Sequence, residues 1–292
     1  MRKFYLLTTS HLEGTLWFKD EEDFKVGMNY VAIEAARHPE IIVLAFILMS
    51  NHVHFVVMAW NKDEAKEFVN SIKHRYSLYY RRKYGAKEFL RRNEVHVERI
   101  SSENEEPEKA IAYTEMNCVA ANICSHPSQY PWGTGNTFFN PTPKTGKRVG
   151  DLSARARKRL LHTDEEESIP PGWRINDAGF IPPSDYVYIN RVEAIFRTPK
   201  RMNFFLYNSS KAKKRLSYSD DNLPAFKDQS ILAVLPDLCR SLFQKTSFDQ
   251  LPPGEQVEFA RQIQFRFSAD VHQIARVCGI SYADAARLLD RV

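Results

Sequence analysis

The sequence is poor in the features that mark secreted, metal-stapled or membrane proteins. Its four cysteines, Cys118, Cys124, Cys239 and Cys278, form no C-x-x-C pair and no framework spacing. That argues against structural zinc and disulfide scaffolds and suits a reducing compartment, so a cytoplasmic protein is expected. No stretch approaches the roughly eighteen apolar residues of a membrane span. The opening Met1-Arg2-Lys3-Phe4-Tyr5-Leu6-Leu7 lacks the continuous apolar run and small-residue cleavage site of an export signal. There is no internal repeat and no low-complexity tract. Net charge is only +5 over 292 residues, so the distribution of the basic residues matters more than their sum. The length accommodates one large or two ordinary domains, each able to bury a core.

Residues 41–60 are the most structured stretch. They hold two apolar runs joined by Ser50-Asn51, with His52 and His54 opening the second. The runs are of strand length and the first is mostly β-branched or aromatic, which predicts paired central strands around a short turn. Residues two apart in a strand share a face, so His52 and His54 project together while Val53 points away. Two imidazoles so placed can share a metal ion. With nine histidines in the chain, an H-x-H pair alone is a weak motif and needs partners elsewhere.

A first strand is expected near Phe4–Thr9, a helix from Asp20 to Arg37 ending before His38-Pro39, and a second helix from Lys62 to about Tyr84. The alternating Val95–Ile100 reads as a fourth strand, followed by a helix from about Pro107 toward Cys124. The order β-α-β-β-α-β-α predicts an α+β, ferredoxin-like (RRM-like) antiparallel sheet with helices on one face, leaving the other open for a site. Asn140 to Gly150 is rich in Pro, Gly, Lys and Arg, so residues 1–139 are expected as one domain and 140–150 as a linker. Residues 151–292 read as a mainly helical extension with basic runs at Arg155–Arg159 and Lys211–Arg215. A possible helix-turn-helix falls at 268–291, around Gly279. From Glu255 onward five arginines face five acidic residues, so its charge does not require DNA.

Tyr113 and Asn117 are four residues apart on the helix after the fourth strand, which places a phenol and an amide on one face. Two imidazoles and one oxygen ligand with open positions suit Mg²⁺ or Mn²⁺, which polarise a phosphate oxygen. A nearby phenol could attack the phosphorus and conserve the bond as a phosphotyrosyl ester. Tyr76, Tyr79, Tyr80 and Tyr84 are rival nucleophiles, and most tyrosines only pack. Between Ser71 and Arg92 stand Lys73, Arg75, Arg81, Arg82, Lys83, Lys87, Arg91 and Arg92 against Glu88 alone, interleaved with aromatics. Such a mixture describes a surface for single-stranded nucleic acid, although a charge run is often only a solvated helix face.

Ser50-Asn51-His52-Val53-His54, the basic Tyr-rich helix, Tyr113-Thr-Glu-Met-Asn117-Cys-Val and Tyr130-Pro131-Trp132-Gly133 together resemble the REP-associated tyrosine transposases. These are relatives of the single-tyrosine (HUH) insertion-sequence transposases, and the resemblance covers about residues 1–135. It implies His52, His54 and Asn117 as metal ligands and Tyr113 as nucleophile. It implies cleavage of single-stranded DNA beside palindromic hairpins, with a 5′-phosphotyrosyl enzyme and a free 3′-hydroxyl, by a monomer or homodimer. Cys118, Ala120 and Asn122 stand where the family commonly has proline, a basic residue and glycine, which affects helix geometry and DNA contacts more than chemistry. Those departures motivate an alternative, a domesticated DNA-binding regulator that no longer cuts. A replication-initiator or relaxase nickase ranks last, since more histidines or a second tyrosine would be expected.

Overall fold

The computed structural model describes residues 1–141, 144–163, 169–212 and 226–290. Strand β1 (Lys3–Thr9) leads through helix α1 (Glu21–Arg37) to strands β2 (Ile42–Met49) and β3 (His52–Ala59). Helix α2 (Lys62–Tyr84), strand β4 (Val95–Ile100) and helix α3 (Glu106–Glu115) follow. The strands form one antiparallel sheet in the order β2-β3-β1-β4, so the expected ferredoxin-like arrangement is found, with β1 and β3 central. Local chemistry sets the helix ends. The Asp20 and Asn61 side chains accept from the backbone N–H groups of Asp23 and Glu64, capping α1 and α2, and Gly85 closes α2 at φ 66°. A cap of this kind contributes about 1 kcal/mol.

Every residue of β3, and all of β2 except Ile42, is buried. Strands apolar on both sides require cover on both. On one side Phe55 meets Phe68 of α2, and on the other His54 meets Tyr113 of α3, with ring centroids 5.7 Å apart in each case. The second face is therefore not open as expected: α3 covers it, burying alternate β2 and β3 side chains that include the His pair. The helix expected to run to Cys124 is also interrupted. It stops at Glu115, Met116 forms a corner, and a short α4 (Asn117–Ala120) ends before Asn122 at φ 56°.

Residues 130–134 lie along the free edge of β2. The Tyr130 hydroxyl donates to Leu48 O at 2.7 Å, Leu48 N donates to Trp132 O at 2.8 Å, and Thr134 N donates to Phe46 O at 3.0 Å. Ile47 and Gly133 form a bridge. The strap pairs backbone groups that an edge strand otherwise presents to other chains.

The main core continues from Phe4 to Ala212. It takes in helices α5 (Ala154–Leu161), α6 (Ile189–Phe196) and α7 (Pro199–Asn208), and a two-stranded ribbon of β5 (Lys147–Arg148) and β6 (Arg174–Ile175). Val149, inside the stretch expected as a linker, is buried in this core. Four further helices, α8 (Asp228–Phe243), α9 (Pro253–Phe267), α10 (Val271–Cys278) and α11 (Tyr282–Asp290), enclose a second core. Gly279 at φ 71° joins α10 to α11 in a helical hairpin at the position expected from the sequence. The unit docks on the β2–β3 turn: Ser50 Oγ donates to Asp228 Oδ2 at 2.7 Å, and Gln229 Nε2 donates to Phe18 O at 2.7 Å. Of the basic run Lys211–Arg215, residues beyond Ala212 lie outside the described residues. No described helix is long and apolar enough to cross a membrane.

A Cβ at Gly133 would stand 2.6 Å from Phe46 O. Gly133→Ala is therefore expected to push the strap off β2 and destabilise the fold by about 1–3 kcal/mol. Equal urea midpoints for parent and variant would show that the strap does not hold this edge.

Candidate active site

The β-strand period and a cross-strand partner place each histidine. The Asn51 amide donates through Nδ2 to Leu12 O at 3.0 Å, which turns its Oδ1 toward His52 Nδ1 at 2.8 Å. A carboxamide oxygen only accepts, so His52 carries its proton on Nδ1 and keeps a lone pair on Nε2. His54 Nδ1 lies 2.8 Å from the hydroxyl of Thr8, its partner residue on β1. Both Nε2 atoms are buried and have no hydrogen-bond partner. An unpaired buried polar atom costs about 1–3 kcal/mol, so two on adjacent rings, with centroids 4.8 Å apart, fit a cation taken by their lone pairs.

Electrostatics keep the pair neutral. Burial first, then His54, His11, Lys211 and Arg276, push the His52 pKa well down. Burial, then Lys211 and His11, push His54 down to about 3, against the opposing influence of the neighbouring Asn117 side chain. Neutral imidazole is the metal-binding form. Among the described residues no three His, Cys, Asp or Glu side chains gather to hold a metal. The candidate set is two imidazoles and the Asn117 carboxamide.

Tyr113 is half-buried with its ring edge-to-face against His54, and burial followed by the Glu98 carboxylate raises its pKa. Asn117 Nδ2 donates to Tyr113 O at 2.9 Å and to Thr114 O at 3.1 Å, capping the carbonyl end of α3. The corner at Met116 thus leaves Asn117 beside His54, one turn below Tyr113. The structure brings His52, His54, Tyr113 and Asn117 together.

A cleft of about 600 Å³ opens beside them, and its lining includes His11, His52, Asn117, Lys211, His272 and Arg276. His11 stacks on His52 at 3.7 Å, and the Lys211 ammonium lies 4.6 Å from the centroid of the Tyr113 ring. Sequence reasoning missed both. His11 follows β1 by two residues, and its approach to His52 was readable only through the β1–β3 register. Lys211 had no local signal beyond its membership of a basic run.

The basic cluster of α2 and the loop after it divides in two. Lys73 Nζ donates to Asn93 O, Arg75 pairs with Glu34 at 2.8 Å, and Lys83 bridges Asp20 and Asp23 at 2.6 and 2.7 Å. These three are built into the packing. Arg81, Arg82, Lys87, Arg91 and Arg92 are exposed, with Arg91 paired to Glu88 at 2.5 Å. Lys73, Arg81, Lys87 and Arg91 line a groove of about 390 Å³ at this end of α2. The interleaved aromatics do not form a surface for bases. Tyr76 donates to Trp17 O at 2.5 Å, Tyr79 and Tyr84 reach Asp23 at 3.1 and 2.8 Å, and Tyr80 stacks on Phe89 at 3.6 Å. As rival nucleophiles they are spent on the core.

Residues 17–100 match the family model described as transposase IS200 like. This match, over the segment that holds both histidines, bears out the family resemblance and supports a transposase-like role in DNA processing. Among solved structures, one described as a REP-associated tyrosine transposase bound to a REP hairpin aligns at 14% identity and a TM-score of 0.35, over 46% of this chain and 77% of that one. A pyridine synthase, TbtD, from thiomuracin biosynthesis aligns at 13% identity and a TM-score of 0.21, over 98% of each chain. Neither score reaches the level of a shared fold. No curated protein matches the chain.

Glu115 stands between Tyr113 and Asn117 but points away from the cleft, into the core beside Thr134. The Thr134 hydroxyl accepts from Phe46 N at 2.9 Å and lies 3.1 Å from Phe46 O and in contact with Glu115 Oε1. The Thr134 hydroxyl has one proton, which it donates to Glu115 Oε1 or to Phe46 O. Burial, opposed by the hydrogen bond with Thr134, pushes the Glu115 pKa up to about 8. Between about 4.5 and about 8 the unfolded carboxyl is ionised while the folded one is protonated. The parent should therefore lose stability relative to Glu115→Gln as pH rises through that window, and the difference should level off above it. Urea midpoints measured across pH check this; a gap that does not change with pH overturns it.

Proposed function

We propose that this chain, whose residues 17–100 fit the IS200-like transposase family, is a metal-dependent single-stranded DNA endonuclease and strand transferase with Tyr113 as its nucleophile. The observation that carries this reading is the contact of Tyr113 with His54, where two buried imidazole nitrogens stand side by side without partners. His52, His54 and Asn117 would hold the ion. Mg²⁺ or Mn²⁺, when bound there, supplies Lewis-acid polarisation of a phosphate oxygen.

The remaining chemistry belongs to the side chains. Tyr113 approaches the phosphorus from the α3 side of the sheet, its ring oriented by His54 and its helix end held by Asn117. As the tyrosine O–P bond forms, the P–O3′ bond breaks, the phenol proton passes to solvent in the cleft, and the departing 3′ oxygen takes up a proton. The products are a 5′-phosphotyrosyl protein and a free 3′-hydroxyl. One phosphoester replaces another, so a second 3′-hydroxyl can reverse the step without ATP.

Arg81, Arg82, Lys87, Arg91 and Arg92 remain as the cations for the DNA backbone, and the hairpin substrate follows from the family resemblance. In this reading residues 1–139 carry the chemistry and the helices of 151–292 complete the cleft.

With single-stranded DNA carrying the palindromes that flank its gene, and Mn²⁺, the protein should form a covalent adduct that survives denaturing electrophoresis. Tyr113→Phe should abolish the adduct, and His52→Ala or EDTA should suppress it strongly. An adduct that persists in Tyr113→Phe removes the assignment. Tight hairpin binding indifferent to EDTA, with no cleavage, would identify the non-cutting regulator instead.

A further inference from the structure

Lys211 belongs to neither the matched segment nor the sheet, yet it reaches the centre of the site. Its ammonium lies 4.6 Å from the Tyr113 ring centroid, on the wall of the cleft to which His52 and Asn117 also contribute. It acts electrostatically on both His52 and His54. Its backbone is anchored. Ala212 is buried in the main core and donates its N–H to Ser209 Oγ at 3.2 Å. The preceding helix α7 is clamped to α3, the helix of Tyr113, by Arg201 bonds to Glu105 at 2.8 Å and Glu108 at 3.0 Å. The fold thus carries a cation from a distant segment to the nucleophile.

Resting on the strand-transfer reading above, we propose that Lys211 is a catalytic residue whose ammonium takes the non-bridging oxygens of the scissile phosphate, and that its charge makes metal binding depend on bound DNA. A phosphate within reach of both Tyr113 and the His pair lies beside Lys211. The transition state of phosphoryl transfer spreads negative charge over those oxygens, and a preorganised cation stabilises it. Lys211 keeps its protons throughout, and the bonds made and broken are those already given.

Without DNA, an ammonium and a divalent ion in one small, partly buried site repel each other. A phosphate placed between them attracts both. The protein alone should therefore bind metal weakly, and DNA should tighten it.

Full-length parent, Lys211→Met and Lys211→Arg are compared on hairpin-bearing single-stranded DNA with Mn²⁺. Lys211→Met should lower kcat for adduct formation about a hundredfold, with KM changed only a few-fold, and Lys211→Arg should recover most of the loss. Mn²⁺ titrations on a Tyr113→Phe background, followed by electron paramagnetic resonance, give a readout free of turnover. There Lys211→Met should bind Mn²⁺ more tightly than the Lys211 protein without DNA, and should gain less when DNA is added. A role in folding alone would shift the unfolding temperature and leave this coupling intact. An adduct from the parent with unchanged kcat in Lys211→Met, or equal Mn²⁺ affinities without DNA, overturns the role of Lys211 while the strand-transfer reading stands. No adduct from the parent overturns both.

Discussion

The β2–β3 ribbon is buried on both faces, and the rest of the structure answers to that condition. Two runs of apolar side chains leave no sheet surface that tolerates water, so helices must cover both sides. Against this background His52 and His54 are out of place. Each has one ring nitrogen satisfied by Asn51 or Thr8 and the other buried without a hydrogen-bond partner. The same helix that shields this face, α3, delivers Tyr113 to His54. The cover and the proposed nucleophile belong to one element, which is why Tyr113 sits half-buried rather than on a loop.

What was legible in the sequence followed from short-range periodicity. The strands, α1, α2 and the pairing of Tyr113 with Asn117 all rest on spacings of two or four residues, and the structure places them accordingly. What was not legible depended on partners far along the chain. Lys73, Arg75 and Lys83 look like part of a nucleic-acid surface until Asn93, Glu34, Asp20 and Asp23 arrive to occupy them. The tyrosines of α2 likewise repeat at helical intervals, and that period describes a core stripe as well as a stacking platform. Only Trp17, Asp23 and Phe89 decide between the two.

The same limit explains the covered sheet face and the broken helix. A β-α-β-β-α-β-α order fixes topology without saying whether the final helix closes the second face. Nor does a continuous helical pattern reveal that Met116 turns a corner, because the signal is a side chain, Asn117, capping the carbonyls of its own preceding turn. His11 shows how a site can grow from register: once β1 pairs with β3, the residues just beyond Thr9 arrive beside the start of β3.

The docking of Asp228 on Ser50 has a consequence for how the protein comes into being. Chains fold from the N-terminus as they leave the ribosome. The sheet, the His pair and Tyr113 are synthesised before residues 226–290, so any sheet formed during synthesis has its β2–β3 turn bare and lacks the cleft lining from His272 and Arg276. The hydroxyl of Ser50 has no Asp228 to donate to until then, so that bond forms only once the chain is long enough to close over its own histidines.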